Sequence, residues 1–109
     1  MFVSTGFQIE GYRISQYLGI VRGIVVRSPN IAQGIIGGLN QIIGGNIEAY
    51  TEVCEHARQE AYERMVLHAR QIGADAVIGM NYDATEFSQN ATEVLCYGTA
   101  VKLHNPQNV

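Results

Sequence analysis

Residues 48–72 read EAYTEVCEHARQEAYERMVLHARQI, and the fold turns on how this stretch is read. Tyr50, Val53, Cys54, Ala57, Ala61, Met65, Ala69 and Ile72 recur at three- and four-residue steps. That period puts them on one face of a long helix. Gly73 follows as a natural C-terminal cap. Five glutamates stand in the first two-thirds, and Arg64 and Arg70 come late, the distribution a helix dipole favours. Glu60 and Arg64 are spaced for an i,i+4 ion pair. Three alanines on the apolar stripe imply close packing against a sheet or another helix.

Strand patterns lie on both sides of this helix. YRISQYLGIVRGIVVR, residues 12–27, is rich in β-branched and aromatic types. Gly19 and Gly23 interrupt it, which predicts a bend or bulge. DAVIGMNYDATEF (75–87) and ATEVLCYGTAVKL (91–103) are separated only by Ser88-Gln89-Asn90, so they are expected to pair as an antiparallel hairpin. Both alternate sets of residues in these two strands contain apolar side chains. Neither face therefore reads as purely solvated, and beyond the long helix and the short glycine-rich one that precedes it no element is left in the chain to cover the second one. Another copy of the chain is the simplest cover.

A second helix is expected at GIIGGLNQIIGG, residues 34–45. On a helical wheel Ile31, Ile35, Leu39 and Ile42 gather on one side, while Gly34, Gly37, Gly38, Gly44 and Gly45 fall opposite. Asn30 suits the N-cap, with Pro29 before it. Interior glycines cost roughly 1 kcal/mol each against alanine, so a thin helix made for close packing is the reading. The P-loop ending is absent, and the stretch is too short to cross a bilayer. The result is an α+β domain: an antiparallel sheet packed on one long helix plus a short Gly-rich helix. It forms one domain over residues 1–109, with a core at about 3–103 and a tail at 104–109.

Composition narrows the function. The 109 residues carry a net charge of −3, with 16% charged and 47% hydrophobic types. No block of like charge occurs, so a nucleic-acid footprint is not expected. A signal peptide and a membrane-length apolar run are also missing from the pattern. Two cysteines 42 positions apart make neither a disulfide framework nor a metal knuckle. A cytoplasmic protein with reduced thiols is expected, without membrane insertion.

The candidate ligands are Cys54, His56, His68, Cys96 and His104. Cys54 and His68 are about 21 Å apart along the helix and cannot share an ion in one chain. His56 lies one turn from Glu52 and one from Glu60, a ladder that could hold a divalent ion. Cys96 reads as a small buried hydrophobe. No nucleophile elbow or thiol–base pair is apparent, so a catalytic site is not expected.

The combination of IEGYRISQYLGIVRG, NQIIGGN leading into the long helix, ARQIGADAVIGMNYD and YGTAVKL resembles the YbjQ-like family over about residues 3–103. The resemblance implies a dodecin-like subunit, assembly as a ring-shaped homopentamer and a heavy-metal-binding label. Asn40 and Asn46 stand where arginines are frequent in the family. Under that label the metal candidates are His56, Glu52, Cys54 and Cys96, with ligands repeated around a symmetry axis. The expectation is a homo-oligomeric small-ligand or heavy-metal-binding protein, its cofactor unassigned. The alternative is a non-enzymatic structural or interaction module.

Overall fold

The computed structural model describes residues 1–27, 47–88 and 91–105. The glycine-rich stretch, with Asn40 and Asn46, lies outside these residues, as does the end of the tail. The elements are β1 (Phe2–Val3), β2 (Arg13–Arg27), α1 (Ile47–Gln71), β3 (Ala76–Ser88) and β4 (Ala91–His104). They form one four-stranded sheet in the order β1-β3-β4-β2, with α1 on one face. The long helix and the three long strands thus lie where the periodicities put them, and β3 and β4 pair antiparallel as expected. The sheet is mixed, however, because β1 runs parallel to β3 through Phe2 and Val3. Two residues are too few to show a period, which is why β1 leaves no sign in the sequence.

α1 ends as the glycine after it predicts. Gly73 has φ +80°, its N–H donates to the Arg70 carbonyl at 3.0 Å, and Ala74 N–H donates to the Ala69 carbonyl at 3.0 Å. This pair of bonds is a Schellman cap. The register of β2 on β4 shifts at Gly19, the predicted irregularity. Gly23 does not break the ladder: it pairs with Cys96 in continuous register. Its role is contact. A Cβ at Gly23 would collide with the Ala61 carbonyl oxygen and lie 2.5 Å from the Met65 nitrogen. The backbones of β2 and α1 meet there with nothing between them.

The core sits around that crossing. Val21, Val25, Ala61, Met65, Ala69, Val77, Cys96 and Ala100 are buried together between α1 and the sheet. Small side chains on the helix let it lie close. Met65 fills the remaining space, since an unbranched thioether adapts to irregular gaps. The opposite face divides in two. At one end Ala76, Ile78 and Val101 are covered by Ile9, Ile14 and Leu103. At the other end Ile20, Ile24 and Val26 project from β2 at 73%, 37% and 41% exposure. Alternation puts them beside their cross-strand partners Thr99, Leu95 and Glu93.

Candidate functional site

The residues singled out from sequence are scattered. Cys54 is an exposed free thiol, and Glu52 and His56 are exposed on the same half of α1. Cys96 lies under the helix, fully buried, with its Sγ donating to Met65 Sδ at 3.6 Å. Burial pushes the Cys96 thiol up to about 11, which keeps it neutral where a metal ligand must be a thiolate. Cys54 precedes Met65 by eleven residues, roughly 16 Å of helix, so the two thiols cannot meet on one ion. His68 Nδ1 accepts the Arg22 N–H at 3.2 Å, and His104 sits at the far end of β4 opposite Arg13. Among the described residues no three His, Cys, Asp or Glu side chains gather as a metal site would require. A soft ion wants three or four such donors, and one chain's described donors do not fit it.

Glu60 also departs from the expected ladder. It does not turn to His56. Its Oε2 accepts from Arg27 Nη2 at 2.8 Å and its Oε1 from Arg64 Nη2 at 2.9 Å. The hydrogen bond from Arg27 holds the carboxyl below its ordinary range, against the opposing effect of burial, with Arg64 helping. The second Arg64 nitrogen donates to the Ile24 carbonyl at 3.0 Å. Together Arg64 and His68 occupy backbone groups along β2, whose outer side would otherwise offer a strand edge. β3 is blunted differently. Asn81 Oδ1 accepts the Tyr82 N–H at 3.1 Å, and Asp83 Oδ1 accepts the Ala84 N–H at 2.9 Å.

Among the described residues, one concave feature combines apolar walls with two arginines. A cleft of about 260 Å³ lies between the N-terminal half of α1 and the end of the sheet. Val53 and Ala57 wall it from the helix, Ala84 and Val94 from the strands, and Arg27, Arg58, Cys54 and Thr92 complete it. The Arg58 guanidinium stands 5.4 Å from the centroid of the Tyr82 ring, a cation–π distance. Arg58 forms no ion pair with a described residue. Burial raises the Tyr82 hydroxyl, with Cys96 and Tyr62 adding to the effect, so Tyr82 stays neutral beneath the cation. Apart from Cys54, these residues escape sequence reasoning, because four elements supply them. The one local signal is the i,i+4 spacing of Cys54 and Arg58.

Comparison with known proteins agrees with the resemblance carried by the motifs. The YbjQ family model, described as "Putative heavy-metal-binding", matches residues 1–104. A UPF0145 protein of Legionella pneumophila (strain Philadelphia 1) is 59% identical over 101 residues, spanning 93% of this chain and 96% of the relative. A UPF0145 protein of Chromobacterium violaceum is 58% identical over 101 residues, spanning 93% of this chain and 86% of that one. Among solved structures, a Pediococcus pentosaceus protein of the DUF74 family, of unknown function, superposes with a TM-score of 0.59 at 20% identity. The match covers 95% of this chain and 98% of the other, and it shows a shared fold.

Proposed function

Because this chain belongs to the YbjQ family of UPF0145 proteins, we propose that it is a self-associating, non-enzymatic protein that binds a small ligand. The observation that carries the reading is the bare half of the sheet opposite α1, where Ile20, Ile24 and Val26 stand exposed on one face of β2, with Arg22 between Ile20 and Ile24. Apolar area removed from water is worth about 25 cal/mol per Å², and exposed apolar groups rimmed by polar ones mark interaction surfaces. Hydrogen bonds to backbone groups of β2 and β3 favour association through this face over strand addition. A ring is the arrangement proposed, its five subunits following from the family resemblance. The free thiols are in keeping with a reducing, cytoplasmic setting.

Light scattering tests the association. The expected mass is a multiple of the 12.0 kDa chain, with Ile24→Asp shifting it downward. A wild-type monomer at micromolar concentration overturns the reading. The heavy-metal reading stands second, on the exposure of Glu52, Cys54 and His56 along one stretch of α1. It requires donors from neighbouring copies. Thermal melts with zinc and copper(I) check it, since bound metal raises the melting temperature by mass action. The metal reading expects a shift in the wild type that disappears in Cys54→Ala or His56→Ala. No shift with either ion removes it.

A further inference from the structure

We propose that the cleft between α1 and the β3–β4 end of the sheet is a binding site for a small organic monoanion, a carboxylate carried on a hydrocarbon or aromatic body. The inference rests on the small-ligand part of the reading above and names the ligand class.

The cleft exists because of how α1 meets the sheet. At Gly23 the helix backbone touches the strand backbone. Further toward the helix N-terminus, Val53 and Ala57 stand apart from Ala84 and Val94 and leave about 260 Å³ open. That volume lies just below the range of about 300–1,000 Å³ usual for drug-sized sites, which suits a small ligand. The four walls are apolar, which suits a hydrocarbon body and gives a bare inorganic ion no contact along them.

Charge supplies the other half of the recognition. Arg27 and Arg58 both line the cleft, and they differ in availability. Arg27 is tied to Glu60 at 2.8 Å. Arg58 stands over the Tyr82 ring, its Cζ 5.4 Å from the centroid, and has no ion-pair partner among the described residues. A guanidinium packed in this way keeps its N–H fork free for a carboxylate, which it can grip through two parallel bonds. Thr92, paired with Arg27 across the sheet, adds a hydroxyl that can donate to the same anion. Cys54 sits at the cleft as a weak donor and is not required by the argument.

Octanoate is the probe, with octanol and inorganic phosphate as controls. Isothermal titration against the full-length wild-type protein is expected to give saturable octanoate binding. Octanol and phosphate should each bind at least tenfold more weakly. Arg58→Ala should lose about tenfold or more in octanoate affinity, Arg58→Lys should recover part of it, and Ala84→Phe should abolish binding by filling the cleft. Equal affinity for octanol and octanoate overturns the proposal, as do an unaffected Arg58→Ala protein and a wild type that binds no octanoate. Light scattering on each variant separates this result from the self-association reading. An intact oligomer that fails to bind overturns the anion site alone, whereas a monomeric wild type overturns the self-association reading.

Discussion

The two faces of the sheet are finished to different degrees. Under α1, packing is closed to the point where a single hydrogen at Gly23 is all that fits against the helix backbone. On the other side, the segment before β2 brings Ile9 over Ala76, Ile78 and Val101, and the remaining length of the strands keeps its apolar side chains in water. Among the described residues the one long helix closes most of one layer and leaves open only the cleft at its N-terminal half. The second layer is left to a short loop, which reaches only half of it. Among the described residues, tight packing under α1 and apolar exposure on the other face are thus two results of the same shortage of covering elements.

The largest expected effect is at the closed face. In Gly23→Val the new side chain meets backbone atoms of Ala61 and Met65, which cannot rotate away as a side chain could. Overpacking ordinarily costs about 1–3 kcal/mol, and lifting a helix off its strand should exceed that. The expected result is loss of the cooperative thermal transition followed by circular dichroism. A Gly23→Val protein melting within a few degrees of wild type would refute the close crossing. Met65→Ala comes next. It removes the largest fully buried side chain among the described residues and should cost about 2–5 kcal/mol in chemical denaturation, with the secondary structure retained.

The open face should answer in another observable. Ile24→Asp is expected to reduce the molecular mass in solution while leaving the subunit's circular dichroism spectrum unchanged. Val25→Asp, one residue along and facing α1, should prevent folding. If Ile24→Asp also unfolds the subunit, the distinction between the two faces is wrong.

The smallest effect is at the Glu60 ion pairs. Glu60→Gln should lose about 0.2–1 kcal/mol near neutrality, as partly exposed pairs do. The carboxyl titrates lower in the folded state than in the unfolded one, so folding gains from its charge above the unfolded value. That gain disappears as pH falls through the folded value. The difference in denaturation midpoint between wild type and Glu60→Gln should therefore shrink as pH is lowered from about 6 toward 3. A difference that grows on acidification would contradict the pairing with Arg27 and Arg64.

Periodicity made α1 legible, because it buries one face along many residues, and the short Ser88-Gln89-Asn90 link made the β3–β4 hairpin legible. Ala57, Ala61, Met65 and Ala69, all on the proposed stripe, are buried. Ile72 shares the period but is exposed, since the helix has ended and the chain is turning at Gly73. Gly23 was legible as an interruption and misleading as a bend. A glycine needed for contact with another element looks the same in sequence as one needed for a turn. The Glu60 ladder failed for a related reason: helical spacing offered His56, but Arg27 from β2 reached Glu60 across space. The cleft was hidden because Arg27, Cys54, Ala84 and Val94 come from four elements, and only their assembly brings them together.

The sulfur pair at the crossing has a practical consequence. Cys96 reaches solvent only when α1 separates from the sheet, and with its thiol pushed up to about 11 it is almost wholly un-ionised near neutral pH. In a Cys54→Ser background it becomes a lone sulfhydryl clock. Its rate of reaction with a coloured disulfide reagent, compared with that of the unfolded chain, gives the free energy of that opening. Rates measured with and without denaturant would tell a local breathing of the helix from complete unfolding, at a single atom and without any change to the buried core.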